Sequence, residues 1–195
     1  MAGFVGFLVQ SQGLHWPWNV QMPLGPSLDY PVVSFAEISA AGGPGDQWDA
    51  LPTPAKVQIL LFVGFLELWG ESTELHSPEL GMKHYVRGGK PGYFPPLKGK
   101  LPHPVPFDLF DPFGLQKKMT PERKEKALLA EINNGRLAMI GLFGCLSASK
   151  GLFVPGLDSL NIAAYKGEYM APFTTSDTTL PFVTEMAKYQ LTFLP

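Results

Sequence analysis

The sequence lacks the residue groupings on which the common catalytic and metal sites are built. A single cysteine, Cys145, excludes an internal disulfide bond, and its position in an apolar stretch favours a packing role. None of the four histidines has the spacing of a zinc-ligand pair. The chain contains neither a G-x-G-x-x-G phosphate loop nor a C-x-x-C pair. We therefore predict that the protein is not an enzyme.

The chain also lacks an excess of positive charge. Its 15 lysines and arginines are outnumbered by 17 aspartates and glutamates, which argues against nucleic-acid binding through a basic surface. No lysine or arginine occurs between Gln10 and Thr53, whereas ten lie between His76 and Lys126. Because membrane proteins keep basic loops on the side from which they insert, these two loops are predicted to face opposite sides of a membrane.

Proline (20 residues) and glycine (21 residues) divide the chain into apolar segments and long loops. Helices are predicted at about residues 1–12, 54–73 and 121–149. A threonine followed by proline precedes the second and the third, which suits an N-cap and a first helical residue. Residues 10–53 are predicted to be irregular. No presequence is visible. We expect that a targeting peptide, if one existed, is not part of the sequence given.

The stretch from Ala127 to Ser149 is long enough to cross a bilayer as one helix. It carries Glu131, Asn134 and Arg136, and an unpaired charge in lipid costs at least about 2.5 kcal/mol. Glu131 and Asn134 are three residues apart and share one helix face, where both offer the oxygen that Mg²⁺ prefers. Arg136 points elsewhere and is predicted to pair with another helix. A polar cluster in a soluble helical core, or a path for protons or ions, fits the same residues.

The motif E-I-N-N-G-R-L-A-M, from Glu131 to Met139, resembles the third-helix signature of the chlorophyll-binding light-harvesting proteins. The resemblance covers almost the whole chain. The helix PAKVQILLFVGFLEL, the loop FDLFDPFG and the tail YKGEYMAPF look like the chlorophyll a/c branch of that family. It implies an all-α membrane protein that forms one domain over residues 1–195. It further implies three transmembrane helices, with the first and third crossing about a pseudo-two-fold axis, and long Pro/Gly-rich loops.

The first and third helices share the pattern M-x-G-x-x-G-x-L, given by Met1, Gly3, Gly6 and Leu8 and by Met139, Gly141, Gly144 and Leu146. Small residues allow two backbones, or a backbone and a carotenoid polyene, to approach closely. The repeat predicts that the first helix has counterparts of Glu131 and Arg136 upstream of Met1. We therefore expect the chain to be a fragment whose first helix is cut, with Glu131 and Arg136 lacking opposite charges from residues 1–10.

The resemblance also implies a set of ligands. Chlorophyll magnesium is expected to be bound by Glu131, Asn134, Gln58 and Glu67, with His15 and His84 as further candidates. Carotenoid contacts are expected at Asp111, Pro112, Met139 and the glycines Gly3, Gly6, Gly141 and Gly144. Two purely structural roles remain open: Gln58 suits an interhelical hydrogen bond, and Asp111 suits a turn cap. Relatives carry glutamine or glutamate where this chain has Ala148, which puts that pigment site in doubt.

The function implied is that of a light-harvesting antenna protein of the chloroplast thylakoid membrane. Its expected cofactors are chlorophyll a, chlorophyll c and carotenoids of the peridinin, fucoxanthin or diadinoxanthin type. Its expected partners are a photosystem core (I or II), neighbouring antenna proteins and thylakoid lipids, with the basic loop on the stromal side. Three alternatives stay open: a photoprotective quencher of the same family, a small ion or proton transporter using Glu131, Arg136 and Glu67, and a soluble helical enzyme.

Overall fold

A computed structural model describes residues 1–17 and 33–188, and within these ranges the regular structure is helical, without strands. The α-helices there are α1 (Ala2–Ser11), α2 (Phe35–Ala40), α3 (Pro44–Ala50), α4 (Thr53–Glu71), α5 (Thr73–His76), α6 (Pro121–Ser149) and α7 (Val183–Lys188). Short 3-10 turns occupy Pro78–Leu80, Tyr85–Arg87, Gln116–Lys118 and Asp158–Leu160. The chain forms two compact units, Met1–Val57 with Glu131–Pro195, and Gln58–Ala130.

The two long helices begin at threonine and proline, but the two threonines act differently. Thr120 precedes α6 and its hydroxyl accepts from the backbone N–H of Arg123 at 3.4 Å, as an N-cap does. Thr53 lies inside α4, and its hydroxyl instead donates to Asp177 Oδ1 at 2.5 Å. The predicted N-cap is therefore present at Thr120. At Thr53 the prediction is wrong, because the hydroxyl makes a tertiary contact with Asp177 instead.

The prediction that residues 10–53 are irregular is wrong for residues 35–50, which contain α2 and α3. Ser34 caps α2 by accepting from the N–H of Glu37 at 3.2 Å, and the Glu37 carboxylate accepts from the N–H of Ser34 at 2.7 Å. At α3, Pro44 occupies the first turn and Asp46 accepts from the N–H of Gly43 at 3.2 Å. These capping signals are local, so they outweigh the proline and glycine around them.

Within the first unit, α1 lies against α6 at a glycine. The Phe4 ring is so close to Gly141 that a β-carbon at that glycine would meet a ring carbon at 2.9 Å. Phe7 is the buried residue of α1, and Cys145 is fully buried on α6, in keeping with a packing role. Two residues offset by the repeat, Phe7 and Cys145, therefore both face the interior.

A buried ion pair joins the start of α4 to the tail of the same unit. Lys56 has no exposed surface, and its ammonium donates to Asp177 Oδ2 at 2.8 Å and to the Asp49 carbonyl at 3.2 Å. Asp177 also accepts from the N–H of Thr174 at 2.9 Å. We refer to Asp49, Thr53, Lys56, Thr174 and Asp177 as the Lys56–Asp177 cluster. Every charged group in it has a partner, which is what makes burial of the charges tolerable.

The second unit contains the end of α4, the basic loop and the start of α6. Arg87 Nη2 pairs with Glu74 Oε2 at 2.6 Å, and Lys100 pairs with Glu79. Phe94 packs on Gly70, while Tyr93 packs against Phe110 with ring centroids 4.6 Å apart and the ring planes tilted by 50°. Aromatic contacts and ion pairs therefore order a loop that the prolines keep out of regular structure.

Judged by length and apolar content alone, no single helix of the described part would span a membrane unaided. Helices α3 and α4 pass that test when they are taken as one segment with a bend of 110°.

Candidate functional site

Large apolar side chains are exposed along α4 and α6. On α4 the exposed fractions reach 68% at Leu61 and 62% at Phe62. On α6 they reach 70% at Ile140 and 73% at Phe143. Soluble monomers rarely expose contiguous apolar patches beyond a few hundred Å², and larger ones mark binding or membrane surfaces. These helices therefore require an apolar cover, from lipid or from a bound ligand.

Glu131 and Asn134 stand on one face of α6, within this apolar surface. Both residues are exposed. The Glu131 carboxylate forms no hydrogen bond or ion pair with any residue of 1–17 or 33–188. A carboxylate and an amide each present an oxygen suited to a hard cation, and one such oxygen would be enough to hold the magnesium of a bound group. The two side chains therefore fit two separate magnesium-centred groups, one turn apart.

Arg136 is exposed on the same helix, five residues beyond Glu131. Among the residues that the structure describes, it forms no ion pair with an aspartate or glutamate. At 100° per residue it is turned by about 140° from Glu131, so the two cannot pair within the helix. Its pairing with another helix stays a prediction.

Gln58 and Glu67 lie on α4 and both are exposed. Neither side chain has a hydrogen-bond or charge partner in the described ranges. Nine residues of α-helix rotate by about 900°, which places the two side chains on opposite faces. They cannot serve one site, and each would act in a site of its own.

The two candidate histidines differ in whether a ring nitrogen is available to bind a metal. Both ring nitrogens of His84 are in use: Nε2 bonds to Glu71, and Nδ1 accepts from the N–H of Val86 at 3.2 Å. His15 is exposed, and its Nδ1 lies 2.9 Å from the Trp16 carbonyl oxygen. Since a carbonyl only accepts, Nδ1 is the donor in this contact, and in the neutral ring Nε2 then has a lone pair for a metal. His15 is therefore the better prepared ligand.

Both carboxylate oxygens of Asp111 accept hydrogen bonds from the backbone. Oδ1 accepts from the N–H of Leu115 at 2.6 Å and Oδ2 accepts from the N–H of Gln116 at 3.0 Å. Its own φ is +48°, in the left-handed region that aspartate tolerates better than most residues. Pro112 beside it is exposed. The turn-capping role of Asp111 is thus present, and a carotenoid hydroxyl would share oxygens that already accept.

The four glycines of the internal repeat fall into two classes. Gly141 is covered by the chain itself, and so is Gly144, where a β-carbon would lie 3.2 Å from Leu157. At Gly3 and Gly6, no atom of the described residues lies within 4 Å of such a β-carbon. Met139, next to this region, is 66% exposed. Open backbone at Gly3 and Gly6 fits a flat or rod-shaped ligand, whereas Gly141 and Gly144 serve packing between parts of the chain.

The first unit contains an aromatic cluster that is not predicted from the sequence. Trp48 Nε1 donates to the Pro172 carbonyl at 2.9 Å, and the Tyr165 hydroxyl donates to Asp49 Oδ2 at 3.0 Å. Burial, together with the Asp49 carboxylate, raises the pKa of Tyr165. A pocket of about 280 Å³ lies beside these rings. Because the partners come from residues more than a hundred positions apart, no local signal could have paired them.

The chain was compared with known protein families and with curated proteins. The model of the family described as Chlorophyll A-B binding protein matches residues 1–150. None of the curated proteins matches the chain. The matched range includes α1, α4 and α6, and with them Gln58, Glu67, Glu131 and Asn134.

Proposed function

Because the chain belongs to the chlorophyll A-B binding protein family, we propose that it is a light-harvesting antenna protein that passes excitation energy to a photosystem. The family has a helical membrane fold, binds chlorophylls and carotenoids, and is associated with the thylakoid membrane. The observation that carries the proposal is the Glu131–Asn134 pair, a carboxylate and an amide on one face of an exposed apolar helix inside the matched range.

In this proposal Glu131 and Asn134 each hold one chlorophyll through its magnesium. Bound chlorophyll supplies the absorption of visible light and the excited state. The protein fixes where each ring stands and how it is oriented, and α6 sets the spacing of its two ligands at about 4.5 Å along the helix axis. Glu131 is negative in an apolar setting, so its charge needs a cation nearby.

Gln58, Glu67 and His15 complete the proposed ligands. Gln58 and Glu67 lie on opposite faces of α4, so they would hold chlorophylls on two sides of that helix. His15 offers Nε2, while His84 would first have to release Glu71. Arg136 is proposed to neutralise a carboxylate of another helix. Gly3, Gly6 and Met139 are proposed to line the path of a carotenoid, and Asp111 and Pro112 to meet its end ring.

The finer identity follows the motifs of the chlorophyll a/c branch. We propose chlorophyll a and chlorophyll c as the chlorophylls, with a peridinin-, fucoxanthin- or diadinoxanthin-type carotenoid. The proposed architecture is one light-harvesting domain with three membrane helices, built on α1, α4 and α6. The proposed partners are a photosystem core and neighbouring antenna proteins in the thylakoid membrane.

The visible absorption spectrum of the purified, pigment-loaded protein tests the class of function. We expect the bands of bound chlorophyll and carotenoid, and pigment extraction should yield chlorophyll c rather than chlorophyll b. A protein that takes up no pigment would instead support the transporter or the soluble enzyme. A quencher would bind the same pigments but shorten the chlorophyll fluorescence lifetime relative to an antenna.

Substitution of Asn134 tests the ligand assignment. Asn134→Leu should lose one chlorophyll while the helix persists, because leucine is a good helix former. Asn133→Leu is the matched control, since Asn133 is also an exposed asparagine but points about 100° away. Pigment counts after reconstitution decide the matter. Equal counts in the two variants would remove Asn134 from the ligand set.

Proteolysis of intact, oriented thylakoids tests the topology. The charge asymmetry predicts cuts in the loop from Lys83 to Lys118 when protease is added on the stromal side. The loop from Gln10 to Thr53 should survive. Cleavage of that second loop alone would reverse the proposed orientation.

A further inference from the structure

A cluster of basic side chains stands at the start of α6, and neither the family match nor the pigment sites account for it. We define the juxtamembrane cluster as Lys117, Lys118, Arg123, Lys124 and Lys126. All five are exposed. Within the described ranges, none of them forms an ion pair with an aspartate or glutamate. Their charges are therefore available to a partner outside the chain.

The charges at the start of α6 are separated by sign around the helix. At 100° per residue, the bases Arg123, Lys124 and Lys126 span a sector of about 160°. The acids Glu122 and Glu125 are confined to a sector of about 60° on the other side. Glu122 and Lys126 have the spacing of an intrahelical ion pair, yet they do not form one here. One side of the helix start is thus uniformly basic.

The loop just before α6 carries the two remaining lysines of the cluster. Lys117 and Lys118 belong to the 3-10 turn Gln116–Lys118. The turn is held by Asp111, whose carboxylate accepts from the N–H groups of Leu115 and Gln116. The cluster is therefore placed by hydrogen bonds of the loop as well as by the helix.

The apolar surface of α6 begins directly after the cluster. Leu128 and Leu129 are 57% and 61% exposed. From Arg123 to Leu129 the helix rises by about 9 Å, whereas the headgroup layer of each leaflet is roughly 5 to 8 Å thick. If Leu128 and Leu129 face acyl chains, the basic side chains reach the depth of lipid headgroups.

We propose that the juxtamembrane cluster binds the anionic headgroups of the leaflet from which α6 enters the membrane. Basic clusters next to a membrane helix bind acidic lipid through an attraction that each lysine or arginine strengthens. The partner is a bilayer surface of phosphate- or sulfonate-bearing lipids. This inference rests on the membrane insertion contained in the proposed function, and it does not depend on which pigments are bound.

The test compares lipid retained by the full-length, pigment-loaded protein. The protein is reconstituted in phosphatidylcholine vesicles containing a minority of phosphatidylglycerol, then extracted with mild detergent, and the retained lipids are quantified by mass spectrometry. Lys117→Gln/Lys118→Gln/Lys124→Gln should lower the enrichment of phosphatidylglycerol about threefold or more. Lys83→Gln/Lys90→Gln/Lys98→Gln removes the same charge from exposed, unpaired lysines of the same loop and should leave the enrichment unchanged.

Two further arms separate the possible failures. A Lys→Arg version of the first triple should keep the enrichment, and the absorption spectrum of every variant should match that of the parent. An equal loss in both glutamine triples, or no enrichment in the parent, would overturn the proposal. Loss of enrichment on adding inorganic phosphate, but not chloride of equal ionic strength, would overturn it in favour of a small-anion site. Failure of the parent to resist alkaline extraction from vesicles would count against membrane insertion itself, and so against the proposed function.

Discussion

Lys56 and Gln58 stand two residues apart on α4, yet their surroundings are opposite. Lys56 is fully buried and donates to Asp177 and to the Asp49 carbonyl. Gln58 is exposed among apolar side chains and has no partner in the described ranges. The Lys56–Asp177 cluster therefore serves the fold, because its polar groups satisfy one another. Gln58, like Glu131, has no partner in the described part of the chain, and this difference separates the structural polar residues from the proposed ligands.

Asp177→Asn tests the structural half of this contrast and should have the largest effect on stability. It leaves the Lys56 ammonium buried without a counter-charge, which costs about 3 to 5 kcal/mol of unfolding free energy. Denaturant unfolding of the detergent-solubilised protein, followed by circular dichroism, gives the value. The double variant Lys56→Met/Asp177→Leu should recover most of the loss, because no charge remains buried. A loss in Asp177→Asn below about 1 kcal/mol would show that the pair is not buried in the working protein.

Acid should remove part of the same contribution, with a smaller effect. Burial alone raises the pKa of Asp177, but hydrogen bonds from Lys56 and Thr53 outweigh it and lower the pKa from 3.8 to about 2. A folded-state pKa below the unfolded one stabilises the protein above the unfolded value, and the gain disappears as the pH falls through the folded one. We therefore expect about 2 kcal/mol to be lost between pH 4 and pH 2. Stability measured against pH should show this step in the parent protein and not in Asp177→Asn.

Gly141→Ala and Gly64→Ala sharpen the contrast between covered and open backbone. A methyl group at Gly141 meets the Phe4 ring at 2.9 Å, so the ring or α1 must shift, and we expect a net loss of about 1 kcal/mol. Gly64 also lies inside a helix, but no atom in the described ranges comes within 4 Å of the added carbon, so alanine should stabilise by up to about 1 kcal/mol. Thermal unfolding of both variants checks the opposite signs. If both variants were stabilised, helix propensity alone would determine the change in stability, and the contact with Phe4 would not matter.

Gln58→Leu should have the smallest effect on the stability of the chain, while it lowers the number of bound pigments. An exposed side chain without a partner contributes within about 0.5 kcal/mol to stability, so the helix content should stay unchanged. The chlorophyll count should fall by one if Gln58 is a ligand. Glu71→Leu is a useful comparison, since Glu71 is exposed on the same helix but already bonded to His84. If Glu71→Leu lost the pigment and Gln58→Leu kept it, the rule drawn from partners would be wrong.

The sequence predicts features that depend on neighbouring residues. Helices are predicted at about 54–73 and 121–149, and the structure has them at Thr53–Glu71 and Pro121–Ser149, because proline and threonine mark a helix start locally. The same local chemistry at Ser34 and Glu37 was readable as a capping box, although glycine and proline around it suggested a loop. The family and its pigment class follow from a motif that is continuous along one helix.

The sequence could not predict what distant residues do to one another. Lys56 and Asp177 are 121 positions apart, and nothing near either residue names the partner. The state of His84 depends on a bond to Glu71 across a turn, and that of Asp111 on two N–H groups that only the folded loop brings to it. Residue type identifies candidates for a ligand, but the neighbours in the fold determine whether a candidate is free.

The contact of Phe4 with Gly141 has no symmetric counterpart among the described residues. The repeat that aligns Gly141 with Gly3 also aligns Phe4 with Leu142, yet no side chain of residues 1–17 or 33–188 lies within 4 Å of a β-carbon built at Gly3. An exact two-fold arrangement would offer two carotenoids identical grooves and hence identical colours. Here the Phe4 ring covers Gly141, whereas no described side chain covers Gly3 in the same way. Two chemically identical pigments in these grooves would be bent and polarised differently, so their absorption bands would differ and excitation would have a downhill direction between them.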